Sequence, residues 1–180
     1  MTKNIFKTVI LKLDHRPERD KRISTHCALV SRAFLANEFY FSGVEDIRLI
    51  ANIEKIVDKW GGDFKVNYCK KPVDFVKKWK KTGIVIHLTM YGEKVIEKIN
   101  EITKNKKDIL IIVGGPKVPR VYYELADYNI SITNQPHSEV AALSIILYLM
   151  NPDALENEEN FKNNKIKVIP NNKIKNVVNF

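Results

Sequence analysis

The chain has 180 residues, 44% hydrophobic and 28% charged, an ordinary mix for one folded domain with its own core. Thirty Lys and Arg against 21 Asp and Glu leave a net charge of +9, which favours an anionic partner, nucleic acid first among them. Seven Gly and seven Pro exclude collagen-like and Pro-rich chains, and two Cys exclude a disulfide framework or a Cys-based zinc site.

In chain order, short β-branched runs alternate with helical segments. Residues 5–13 predict a strand, and residues 17–36 a helix with Pro17 in its first turn. A short strand at 38–41 precedes a helix at 46–60, which Gly61 and Gly62 end. A strand at 64–69, a helix at 73–80 and a strand at 83–89 follow. Residues 93–103 carry a helical stripe of Val95, Ile96, Ile99 and Ile102. The unbroken apolar run at 108–113 fits a central parallel strand. A helix at 119–126, a strand at 129–133 and an apolar helix at 138–150 complete the pattern. The predicted fold class is therefore α/β, a mainly parallel sheet flanked by helices.

The predicted domain covers residues 1–150. Pro152 opens a polar extension over 151–180, rich in Asn, Glu and Lys, with either one short strand at 166–169 or disorder. The longest apolar stretch, 140–150, is too short to span a bilayer. The N-terminal residues lack a signal peptide's apolar core, so the expectation is a cytoplasmic protein with free thiols and no membrane partner.

Residues 65–81 hold seven Lys against Asp74, interleaved with Tyr68, Phe75 and Trp79. The block reads two ways: basic and aromatic groups for RNA, or a solvated face over a buried Phe75–Trp79 stripe. In parallel α/β sheets, ligands bind beyond the carboxyl ends of the strands. Four segments occupy that rim, beginning at Asp14, His87, Val113 and Asn134, and they bring His15, His87, His137, Arg16, Arg19 and Arg120 to one edge. Gly114 and Gly115 suit a strand-to-helix turn at positive φ, the reading the pair alone favours, or the close approach of a ligand. Neither a dinucleotide fingerprint nor a phosphate-binding loop is present. Ser138 is an N-cap candidate. A helix begun at Pro17 places Arg19, Ile23, His26 and Val30 on one face, turning Arg19 toward the core, where it needs a phosphate or a carboxylate such as Asp14 or Glu139. His26 then reads as a hydrogen-bonded core residue, His87 as structural, and Cys27 and Cys69 as core. No cluster has metal-ligand spacing. The helix at 138–150, apolar nearly all round, is either central core or a dimer interface.

The motifs VGGPKVPRVYYELADYN (113–129) and NQPHSEVAAL (134–143), with HRPERDKR (15–22) and HLTMYG (87–92), resemble the archaeal tRNA cytidine-56 2′-O-methyltransferases, a family of SPOUT methyltransferases. The resemblance spans about residues 5–150, with Cys27 and Leu35 standing where the family pattern has Val and Gly. It implies a C-terminal deep trefoil knot, an exception to the rule against knots, and a homodimer with sites near the subunit interface. It also implies S-adenosylmethionine held by three loops: Leu88; Val113, Gly114, Gly115, Pro116 and Lys117; and Ser131, Ile132, Thr133, Asn134, Gln135, Pro136, His137 and Ser138. The reaction implied is methylation of the 2′-hydroxyl of cytidine 56 in the T loop of tRNA. Arg16 is then the expected catalytic residue, holding the target phosphate and ribose, with His15 a second candidate for the base. Arg19, Arg22, Lys117 and Arg120 are expected to hold tRNA phosphates. The alternatives are a SPOUT methyltransferase acting on another RNA position and a non-catalytic RNA-binding homologue.

Overall fold

The computed structural model describes residues 6–19, 22–115, 117–156 and 161–180. Six strands form one sheet: β1 (Thr8–His15), β2 (Glu38–Gly43), β3 (Lys65–Tyr68), β4 (Ile84–Lys94), β5 (Ile109–Val113) and β6 (Tyr128–Ser131). Their order is β3-β2-β1-β5-β4-β6, and all neighbouring pairs are parallel. The helices between them are α1 (Ile23–Ala33), α2 (Ile47–Trp60), α3 (Pro72–Trp79), α4 (Val95–Lys104), α5 (Arg120–Leu125) and α6 (Glu139–Met150).

Side chains alternate across a strand, so each central strand feeds two cores. Ile10, Ile86 and Ile111 join the core under α1, α2, α4 and α6. Val9, Leu11, Val85, Leu110 and Ile112 join a second core under α3 and α5. Every residue of β5 is buried, as its unbroken apolar run requires, and each large aliphatic side chain contributes about 1.5–3 kcal/mol. Cys27 and Cys69 are free and buried. Burial pushes the Cys27 thiol up to about 12, with Glu139 adding to the shift, so it stays protonated.

Helix α1 starts at Ile23 rather than at residue 17. Strand β1 instead continues through His15, Asp14 takes a φ of 56°, and a turn bonds the Arg19 N–H to the Arg16 carbonyl. The residues ahead of Ile23 are charged and have no apolar face to bury, so nothing stabilises them as helix. The buried stripe of α1 is Ser24, Cys27, Ala28 and Ser31. The helical-face expectation is thereby overturned: Arg19 lies exposed in the turn and His26 is exposed on the helix. Leu35, just after α1, takes a left-handed φ of 63°, a conformation that non-glycine residues rarely adopt.

The Phe75–Trp79 stripe is packing. The Phe75 ring lies 4.7 Å from Tyr40 and 6.1 Å from Trp79. The seven lysines of residues 65–81 are all exposed. Beyond α6, a 3-10 turn (Pro152–Leu155) leads to a hairpin of β7 (Ile166–Val168) and β8 (Val177–Asn179), so the predicted short strand has an antiparallel partner. The hairpin is tied to α2 by the Lys165–Asp58 pair at 2.6 Å, and Arg32 lies over the Phe161 ring at 4.7 Å. Among the described residues, no helix is long and apolar enough to cross a membrane.

Candidate active site

The carboxyl ends of β4, β5 and β6 enclose a cavity of about 360 Å³. That volume lies within the range of about 300–1,000 Å³ usual for small-ligand sites. Its floor is apolar, made by Leu88, Val113, Ile130 and Ala142, and its rim is formed by residues of three loops.

The first loop is an arch within β4. Both Leu88 and Glu93 pair with Ile130 of β6, so residues 89–92 bow out between two anchored feet. At the second foot the backbones touch: a Cβ on Gly92 would lie 2.4 Å from the Asn129 carbonyl oxygen. The Asn134 amide donates to the Met90 carbonyl at 2.7 Å and to Ser131 Oγ at 3.2 Å. Ser131 Oγ in turn donates to the Glu93 carbonyl at 3.4 Å. Asn134 and Ser131 thus clamp the third loop to the first.

The second loop carries Gly114 and Gly115. Among the described residues, glycines with positive φ are Gly43, Gly61 and Gly62, so neither Gly114 nor Gly115 serves a turn at positive φ. Val118 folds back on Gly114, where a Cβ would meet its Cγ2 at 2.1 Å. Beside Gly115, Glu139 at the start of α6 meets Lys12 of β1, Nζ to Oε2 2.9 Å.

His87 forms the inner wall with Tyr123, edge to face at 4.5 Å. Asn129 donates its amide to the Tyr123 carbonyl at 3.0 Å and offers its oxygen to His87 Nδ1 at 2.9 Å. This network assigns the proton to Nδ1. Burial holds the His87 imidazole below its ordinary 6.5, against the opposing Asn129 bond, so it is neutral at pH 7.

Of the expected cofactor residues, Leu88, Val113, Gly114, Gly115, Ile132, Pro136 and His137 line the cavity. Ser131 and Asn134 hold its loops from behind. Thr133 and Gln135 are exposed on the third loop, and Ser138 caps α6 by accepting from the Val140 N–H at 3.2 Å. Lys117 is exposed beside the second loop, and Pro116 lies outside the described residues. Arg120 is exposed and pairs with Glu124 at 2.7 Å.

The arginine turn stands elsewhere on the rim. His15 pairs with Gly43 of β2, so the turn after it faces the β1–β2 side, while the cavity opens over β5, β4 and β6. Arg16 is partly exposed, its Nε 3.5 Å from Asp14 Oδ2, and Arg19 and Arg22 are exposed. His15 is buried, with Nδ1 2.8 Å from Ser24 Oγ and Nε2 3.2 Å from Asp46 Oδ2. None of these four lines the cavity. Sequence reasoning missed Tyr123, Ala142 and the Lys12–Glu139 pair, whose approach depends on tertiary packing, while Val118 lay in the rim segment after β5 without a separate signal. Thr89, Met90 and Tyr91 lay in a rim segment but carried no separate signal.

The tRNA ribose 2'-O-methyltransferase family, aTrm56, matches residues 60–178, which includes most of the tail. The tRNA (cytidine(56)-2'-O)-methyltransferase of Methanobrevibacter smithii is 47% identical over 169 residues, 93% of each chain. That of Methanococcus maripaludis is 52% identical over 89% of this chain and 91% of its own length. Among solved structures, the SpoU methyltransferase AviRb from Streptomyces viridochromogenes, in complex with AdoMet, superposes with a TM-score of 0.60 at 14% identity. This chain is covered over 86% of its length and spans 60% of AviRb. The A. aeolicus TrmH/SpoU tRNA modifying enzyme gives a TM-score of 0.59 at 16% identity over 87% of this chain and 80% of its own. These superpositions establish the shared fold, and the sequence matches go further: the chain belongs to the tRNA ribose 2'-O-methyltransferase family, aTrm56.

Proposed function

We propose that this protein transfers the methyl group of S-adenosylmethionine to the ribose 2′-hydroxyl of cytidine 56 in the T loop of tRNA. The observation that carries the reading is the convergence of three main-chain loops, with Gly114 and Gly115 among them, on one cavity with an apolar floor. Such a cradle fits a nucleoside better than a phosphate, because its lining, among the described residues, is largely aliphatic and aromatic with no Lys or Arg. The named relatives, alike over nearly the whole chain, supply the nucleotide.

The donor supplies a methyl group already activated as a sulfonium. The chain must bind it bent, exclude water, align the 2′-oxygen and accommodate its proton. The clamped arch and the second and third loops do the binding. Arg16 holds the target phosphate and ribose through the planar fork of its guanidinium. His15, with both ring nitrogens engaged, seats the turn that carries Arg16. Arg19, Arg22, Lys117 and Arg120 hold neighbouring tRNA phosphates.

The reading includes a homodimer. In one chain the cavity and the arginine turn stand apart, and α6 leaves Ile145 and Tyr148 about two-fifths exposed on its outer face. Packing two chains on that face covers the stripe and completes the site from both subunits. The trefoil knot of the SPOUT fold, a methyltransferase domain over residues 1–150 with a docked extension at 151–180, and a cytoplasmic location belong to the same reading.

The test is methyl transfer from labelled S-adenosylmethionine to unmodified tRNA transcript, with a transcript substituted at cytidine 56 as control. Label confined to the ribose of that cytidine is the expected result. Label elsewhere makes the target a different nucleotide, and no transfer leaves an RNA-binding protein.

A further inference from the structure

Among the described residues, the cavity wall contains one carboxylate, Glu139, and no Lys or Arg. Lys12 approaches that carboxylate from behind. Its side chain is 5% exposed, its Nζ donates to the Leu13 carbonyl at 2.8 Å, and it lies 2.9 Å from Glu139 Oε2. Oε2 is buried and accepts no aligned hydrogen bond among the described residues. A quarter of the Glu139 side chain remains exposed, and the side chain lines the cavity. Its Oε1 is the atom nearest to where a Cβ on Gly115 would stand, at 3.7 Å. One oxygen is therefore held by the protein and the other faces the glycine loop.

An ion pair of this kind is a poor device for stability. Desolvating both charges costs about as much as their attraction returns, and apolar residues of similar volume usually serve as well. A carboxylate facing an otherwise apolar chamber does something an apolar residue cannot: it distinguishes cationic from neutral ligands. We propose that Glu139, positioned by Lys12, reads the positive charge of the bound methyl donor. The assignment rests on the donor reading above. It makes Glu139 a binding and specificity residue, and Lys12 a positioning residue that fixes the carboxylate rotamer.

The donor carries two cationic groups, the sulfonium and the α-ammonium. S-adenosylhomocysteine keeps the ammonium alone, and 5′-methylthioadenosine has neither. Calorimetric binding of all three to the wild-type chain and to Glu139→Gln tests the proposal without turnover. The variant should bind S-adenosylmethionine about tenfold more weakly, and methylthioadenosine within twofold of wild type. A parallel loss for S-adenosylhomocysteine identifies the ammonium as the group read; unchanged binding identifies the sulfonium. Because Glu139→Gln strands a buried Lys12, the double variant Lys12→Met/Glu139→Gln is measured beside it with the same expectation. Unchanged S-adenosylmethionine affinity, or an equal loss for all three ligands, would overturn the assignment. If the wild-type chain bound none of them, the donor reading itself would fall and this assignment with it, an outcome separable from the others before any variant is made.

Discussion

The side-chain amide of Asn134 donates to the main-chain carbonyl of Met90 across 2.7 Å, fastening the loop after β6 to the arch in β4. Both partners are solvent-accessible, so water replaces the lost bond at a cost of about 1 kcal/mol. Asn134→Ala should therefore lower the melting temperature only slightly. Its main effect should fall on the donor: KM for S-adenosylmethionine rises about tenfold while kcat changes less, because ordering the arch is then charged to binding. Steady-state kinetics beside a thermal melt separate the two effects.

Gly92 and Gly115 should respond oppositely to the same added methyl group. At Gly92 the new Cβ meets the Asn129 carbonyl oxygen at 2.4 Å, and backbone must move. Gly92→Ala should cost about 1–3 kcal/mol, read as a lower urea midpoint. At Gly115 the Cβ makes an ordinary contact with Glu139 Oε1, so Gly115→Ala should stay within about 0.5 kcal/mol of wild type. The methyl would nevertheless intrude at the cavity wall, so donor affinity should fall without loss of stability.

Much of this arrangement was legible from residue order. The run ILIIV of β5 has one reading, a strand buried on both faces, and the sheet is built around it. The three loops were found because strand ends in a parallel sheet mark a site regardless of side-chain detail. The start of α1 was not legible. Pro17 is a good first-turn residue, yet the charged residues after it offer no apolar face to bury, and Glu18, Arg19 and Arg22 lie exposed. The Lys12–Glu139 pair was equally hidden, since it joins β1 to α6 across most of the chain.

The pH dependence of stability should carry a signature of His87. Its folded pKa is held below the unfolded 6.5, so the unfolded chain takes up the proton first. The stability that neutral His87 contributes is present above pH 6.5 and is lost as pH falls from there through the folded value. Urea midpoints should accordingly decline below pH 6.5, and His87→Gln, which keeps an amide donor for Asn129, should flatten that limb.

Arg16→Ala should leave the fold intact, since the partly exposed pair with Asp14 contributes at most about 1 kcal/mol. Methyl transfer to tRNA should nevertheless fall at least about a hundredfold, in kcat more than in donor KM. Arg16→Lys should recover little, because an ammonium lacks the planar fork that grips a phosphate at two points. Single-turnover assays under saturating donor read this loss directly.

The double contact of Ile130 with Leu88 and Glu93 makes residues 89–92 a cassette. Strand pairing resumes on the far side as though the excursion were absent, so the hydrogen-bond ladder does not record its length or content. Drift at residues 89–91, with Gly92 kept at the second foot for its close approach to Asn129, can reshape the mouth of the chamber while leaving the strand pairing in place. Divergence in what enters the site is thereby uncoupled from divergence in the scaffold, and graft exchange of this segment between relatives should be tolerated wherever both feet are kept.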